Sequence, residues 1–177
     1  HYPFENPVNG LKKALPVVSR KPKHMAALDW RQVPIFMSEL AEREGVSART
    51  LEFIILTCGR SGEVRGARWS EMDLATGIWT IPGERMKTGN THRVPLSPEA
   101  LRVLAKVRGL DDQFVFPSSH LSPKGEAKEQ SVMVFKSLLK RMQRDDFTVH
   151  GFRSSFRDWC SESARAEWEV AEACLAH

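Results

Sequence analysis

Arg60, Lys87, the pair His150 and Arg153, and His177 are cations or proton carriers set far apart along the chain, each beside a glycine, a turn or a predicted helix start. Their types suit one task. A phosphodiester under nucleophilic attack spreads extra negative charge over its non-bridging oxygens. Two guanidiniums offer planar, two-pronged donors to that charge and do not titrate. Lysine and histidine add groups that can protonate a departing sugar oxygen and take the proton of an attacking hydroxyl. Such a site needs neither metal nor cofactor, and the carboxylates form no pattern of metal ligands. Taken singly, an arginine such as Arg60 is more often a helix-end partner of a carboxylate such as Glu63, and a lysine such as Lys87 is usually a solvated loop residue.

The elements that must carry these residues can be read from periodicity. Asp29, with Gln32 in the reciprocal position, predicts the start of a helix whose apolar stripe is Trp30, Val33, Met37, Leu40 and Ala41, ended by Gly45. Ser47 is expected to cap a second helix, Ala48 to Cys58, with Leu51, Ile54 and Ile55 inward and Gly59 as its left-handed stop. Ser61 would cap a short third helix running through Glu63, Val64, Ala67 and Trp69, which leaves Arg60 in a tight turn between helices.

The period then changes. Residues 78–82 and 93–96 read as two strands of a hairpin with Lys87 near its tip. Ser97-Pro98-Glu99 opens another helix through Leu101, Leu104 and Val107. Phe114 to Pro117 is a short buried extended piece, and residues 118–130 are loop. Val132, Phe135, Leu138, Leu139 and Met142 mark the inward face of a helix rich in Lys136, Lys140, Arg141 and Arg144. A last pair of helices spans roughly Gly151 to Ser163 and Glu167 to Ala176. His150 and Arg153 share one side of a helix start if Gly151 begins it.

Composition sets the class. The chain has 177 residues, 41% hydrophobic and 27% charged, with a formal net charge of +4. That allows one domain with a tail, mainly α with a small antiparallel β-sheet, and a mild bias toward a polyanionic partner. No apolar run is long enough to span a bilayer and no secretory signal is visible, so the expected compartment is the cytoplasm. The three cysteines, Cys58, Cys160 and Cys174, form no C-x-x-C pair and are expected to be reduced and partly buried. Residues 1–24 carry Pro3, Pro7, Pro16 and Pro22 with Lys12, Lys13, Arg20, Lys21 and Lys23. They read as a basic arm, free in solvent or laid on DNA phosphates, ahead of a domain spanning 25–177.

Three segments bind these readings together. Thr57-Cys58-Gly59-Arg60-Ser61-Gly62-Glu63 with Arg68-Trp69 resembles the first arginine box of phage integrases of the P4 type, tyrosine recombinases. Ile81-Pro82-Gly83-Glu84-Arg85-Met86-Lys87-Thr88-Gly89 with His92-Arg93-Val94-Pro95-Leu96-Ser97 is similar to the family's lysine-bearing hairpin. His150-Gly151-Phe152-Arg153 with Ser154-Ser155-Phe156-Arg157-Asp158-Trp159 resembles its second arginine box. The resemblance implies the integrase catalytic-domain fold, and Arg60 and Arg153 as holders of a scissile phosphate. It further implies Lys87 as general acid, His150 and His177 as phosphate partners, Glu63 as orienter of an arginine, and Thr88 and His92 as DNA contacts.

The implied reaction is site-specific recombination of double-stranded DNA through a 3′-phosphotyrosyl link, by a tetramer on paired attachment sites and without a cofactor. In the family the leucine-alanine-histidine segment, here Leu175-Ala176-His177, is followed by a helix bearing the tyrosine. This chain has only Tyr2, in the arm. The expectation is therefore a domain truncated before its nucleophile, monomeric alone, bacterial or phage-encoded and nucleoid-associated. A core-binding domain would precede His1. The alternative is a non-catalytic DNA-binding module.

Overall fold

Helix formation in the first third of the chain is set by apolar side chains three and four apart. A computed structural model describes residues 26–176, so Tyr2, the arm with Lys12, Lys13, Arg20, Lys21 and Lys23, and His177 lie outside the described residues. A 3-10 turn, Trp30–Gln32, leads into α1 (Val33–Ala41), followed by α2 (Val46–Thr57) and the single-turn α3 (Ser61–Arg65). After another 3-10 turn, Trp69–Glu71, come β1 (Met72–Asp73), β2 (Ile78–Ile81) and β3 (His92–Pro95). The chain finishes with α4 (Pro98–Val107), α5 (Val134–Arg141), α6 (Gly151–Trp159), a π-helical turn at Cys160–Ala164 and α7 (Trp168–Cys174). The architecture is mainly helical with one three-stranded antiparallel sheet, order β1-β2-β3.

Two aromatic clusters fix the helices that matter for the site. Phe36 of α1, Phe147 and Phe152 of α6 lie with ring centroids 5.2–5.4 Å apart, in edge-on or tilted pairs. Phe53 of α2 meets Trp79 of β2 at 5.5 Å and Phe116 at 5.3 Å, so the sheet packs on α2 through fully buried rings. Gly151 is required where it stands: a Cβ there would collide with the Ala26 carbonyl and the Ala27 Cα. The segment at 26–28 thus crosses the start of α6, and Ser155 Oγ donates to the Leu28 carbonyl.

Several local expectations are corrected. Asp29 accepts from Arg31 N–H at 2.9 Å and caps the 3-10 turn, while Gln32 joins through its backbone N–H, which donates to the Asp29 carbonyl at 2.9 Å, rather than through its side chain. Gly45, at φ +94°, precedes α2, so Ser47 lies inside its first turn rather than capping it. Cys58, not Gly59, is the left-handed stop of α2, at φ +53°. Gly59 is small for packing, since a Cβ would stand 2.9 Å from Val64 Cγ2. Arg60 rather than Ser61 occupies the cap of α3, which ends at Arg65, well short of Trp69. A third strand, β1, pairs Met72 with Trp79 and was not expected. Val132 is 69% exposed and precedes α5, whereas Phe135, Leu138, Leu139 and Met142 are buried as expected. Ser97 caps α4, accepting from Ala100 N–H.

Candidate active site

The turn after α2 and the first turn of α6 meet through one side chain. Arg153, buried to 6% exposure, donates Nη1 to the Cys58 carbonyl and Nη2 to the Leu175 carbonyl, each at 2.6 Å. The left-handed turn at Cys58 precedes the extended Arg60, so that carbonyl and the Arg60 side chain belong to one short connection. Arg60 donates Nη2 to the Ala176 carbonyl at 3.1 Å, so the end of α7 holds both arginines with consecutive backbone oxygens. An ion pair of 2.7 Å between Arg157 and Glu172 ties α6 to α7 beside them.

Glu63 is the nearby counter-charge. Its carboxylate, almost buried, accepts from the Arg60 backbone N–H at 2.9 Å and from Arg60 Nη1 at 2.8 Å. The first bond satisfies a helix-start donor that would otherwise be orphaned. The second fixes the guanidinium. His92, at the start of β3, is half-buried, and burial holds its imidazole below the usual histidine range; Glu63 opposes that shift while Arg60 and Arg153 reinforce it. Arg153 is lowered first by burial and then by Arg60. These shifts place His92, Glu63, Arg60 and Arg153 in one electrostatic neighbourhood.

Over residues 27–177 the chain matches the phage integrase family. The chain belongs to that family. It is 32% identical over 175 residues to prophage integrase IntZ of Escherichia coli (strain K12), and 30% identical over 195 residues to the integrase of Enterobacteria phage P4. Those matches cover 97% and 99% of this chain and 42% and 43% of the relatives, so it spans less than half the length of either. Among solved structures it resembles the Tn1549 transposon integrase (aa 82-397) in complex with circular intermediate DNA, with a TM-score of 0.66 and 14% identity. That likeness covers 89% of this chain and 60% of the other, and it shows the shared fold. Within the family this is the catalytic region of a tyrosine recombinase of the P4 integrase kind.

Of the integrase site residues read from sequence, the fold gathers Arg60, Glu63, Arg153 and His92. His150 stands exposed at the N-cap of α6, its carbonyl accepting from Arg153 N–H at 3.1 Å, one turn from the guanidinium. Lys87 and Thr88 are exposed on the connection between β2 and β3. Sequence reasoning missed the Cys58, Leu175 and Ala176 carbonyls. It also missed Arg85, which donates to the Glu71 carboxylate and to the Glu63 carbonyl. The arrangement can fix two guanidiniums on the consecutive carbonyls of Leu175 and Ala176, with the Glu63 carboxylate on Arg60. It can also offer a neutral imidazole at the edge.

Proposed function

We propose that this chain, with the segment that follows it in the intact protein, cleaves and rejoins double-stranded DNA at attachment sites during integration of a prophage or genomic island. The observation that carries the reading is the Arg60–Glu63–Arg153 cluster. Three backbone carbonyls accept from the two guanidiniums and orient them without cancelling charge, and the Glu63 carboxylate accepts from Arg60. In this reading Arg60 and Arg153 grip the non-bridging oxygens of the scissile phosphate, and Glu63 orients Arg60. Lys87 protonates the departing 5′ oxygen. His150 and His177 hydrogen-bond the phosphate and assist proton transfer. Thr88, His92 and the basic arm at 12–23 contact the DNA backbone, which gives affinity that falls with salt.

The nucleophile is a tyrosine carried beyond Leu175-Ala176-His177; its phenolic oxygen bonds to phosphorus and gives up its proton to a histidine of the site, while the phosphorus–5′ oxygen bond breaks and that oxygen leaves with the proton of Lys87. The residues 25–177 act as one catalytic domain, monomeric alone and assembling as a tetramer on paired sites in the intact recombinase. The test is covalent capture. Intact protein is incubated with a nicked attachment-site duplex and the protein–DNA adduct is counted after denaturation. Arg60→Ala and Arg153→Ala should each reduce the adduct at least 10²-fold, on the scale of lost charge stabilisation. Adduct formation by both variants at the unsubstituted rate would refute the phosphate-clamp reading. DNA binding with no adduct from the unsubstituted protein would favour a non-catalytic DNA-binding module.

A further inference from the structure

Lys87 stands on the connection of residues 82–91 between β2 and β3, exposed to solvent, yet the base of that connection is tightly built. Gly83 approaches the Gly89 carbonyl so closely that a Cβ at 83 would collide with it. Arg85 N–H bonds the Pro82 carbonyl at 3.0 Å, Met86 N–H the Gly83 carbonyl at 2.9 Å, and Gly89 N–H the Met86 carbonyl at 3.1 Å. Met86 is buried at 6% exposure, so the residues on either side of it are held while its side chain anchors the turn.

Arg85, two residues before Lys87, leaves this base and crosses to the arginine-bearing helix. Its Nη2 donates to the Glu63 carbonyl, and its Nη1 pairs with the Glu71 carboxylate. The other oxygen of Glu71 accepts from the Trp79 indole N–H at 2.9 Å, which locks the carboxylate to β2. Room for the guanidinium comes from Gly66, where a Cβ would stand 3.0 Å from Arg85 Nη2. One residue thus serves two arginines: the Glu63 carboxylate holds Arg60 and its carbonyl holds Arg85. We propose that Arg85 is a positioning residue that sets Lys87 against the phosphate held by Arg60, through the continuous path Arg60–Glu63–Arg85–Lys87.

The proposal rests on the recombinase reading above and makes a demand that a merely structural ion pair does not. Displacing a general acid by about an ångström slows the step that needs its proton, on the order of 10²-fold, with little change in DNA affinity. A substrate whose 5′ bridging oxygen is replaced by sulfur does not need that proton, because a thiol ionises near 8.5 and leaves as thiolate.

The experiment measures single-turnover cleavage of the oxygen and sulfur substrates by intact recombinase, by Arg85→Met, and by Lys87→Met as benchmark. Arg85→Met should lose about 10²-fold on oxygen, bind DNA within about threefold, and recover to within about fivefold of the unsubstituted protein on sulfur, as Lys87→Met does. Because Arg85→Met leaves the Glu71 carboxylate unpaired, the double variant Arg85→Met with Glu71→Gln guards against misfolding. The amide oxygen at 71 can still accept from the Trp79 indole while the charge is gone. It should show the same recovery. Equal slowing on both substrates, or unslowed cleavage of the oxygen substrate, would overturn the assignment of Arg85. Failure of the unsubstituted protein on both substrates would instead overturn the recombinase reading beneath it.

Discussion

Replacing Glu63 by glutamine should weaken the fold while increasing the salt sensitivity of DNA binding. In the native chain the carboxylate takes two bonds from Arg60, one from the backbone N–H at 2.9 Å and one from Nη1 at 2.8 Å. An amide at 63 keeps the shape but presents one oxygen and one donor. It can satisfy one of those donors and turns its own N–H toward the other. A hydrogen bond to a charged group contributes about 1.5–3 kcal/mol. Part of that is recovered, because an amide costs less to bury than a carboxylate. The net loss is about 2 kcal/mol, which for a chain of this length lowers Tm by about 4–8 °C. The candidate site meanwhile gains one positive charge. If DNA phosphate lies against it, the slope of log K against log salt steepens by up to about 0.9. Thermal unfolding followed by circular dichroism and binding to a fluorescent duplex at several salt concentrations measure both effects. An unchanged Tm would show that the Glu63 bonds contribute nothing net. A shallower salt slope would show that the phosphate lies elsewhere.

The cysteines and His92 offer independent checks. Burial pushes the Cys58 thiol up to about 12, so at pH 8 its thiolate fraction is on the order of 10³-fold below that of an ordinary thiol. Timed alkylation read by mass spectrometry should therefore label the exposed Cys174 long before Cys58, and equal labelling in the folded protein would refute the burial of that thiol. His92 is held below 6.5, so as pH falls below 6.5 the unfolded chain takes up a proton that the folded chain refuses. Stability is then fully present above 6.5 and declines toward the folded value, whereas His92→Gln should flatten that part of the profile. A bound phosphate adds negative charge near the imidazole and favours its proton, so DNA affinity should rise as pH falls through the same window. A binding profile that is identical in His92→Gln would place the phosphate away from β3.

What could be read in advance and what could not divide along a physical line. Apolar stripes and a change of period mark α4, α5 and the β2–β3 hairpin, because those signals belong to side chains. Ser97 and Pro98 were readable as the start of α4, since a hydroxyl cap and a fixed φ act locally. Around Arg60 the local rules mislead. The cap of α3 works through the Arg60 backbone N–H and the returning Glu63 carboxylate, so the identity of the cap residue matters little and a serine beside it is a false lead. Cys58 accepts a left-handed φ where Gly59 looked better suited, because the space beside Val64 and Thr57 reserves the smaller residue for the next position. β1, two residues long, is too short to show a period. The carbonyls that hold Arg60 and Arg153 leave no trace in the sequence, since every residue carries one.

That last feature bears on how such a site stays receptive. Here Arg153 is fixed by the carbonyls of Cys58 and Leu175 and Arg60 partly by that of Ala176, acceptors that orient a guanidinium and leave its charge in place. Glu63 cancels one unit, and His92, held below the usual histidine range, adds none near neutral pH. The four groups together therefore carry a single positive charge, the complement of one phosphodiester. Attack on phosphorus adds a second negative charge, which that balance does not meet. In the proposed reaction the extra charge is met at the leaving oxygen by the Lys87 proton, so the lysine belongs on a loop tied to the arginine cluster through Arg85 rather than within it. Removing that proton donor without touching the cluster, as Lys87→Ala does at an exposed loop position, should lower adduct formation on the order of 10²-fold while DNA binding persists; adduct formation at the unsubstituted rate would refute this division of the charge.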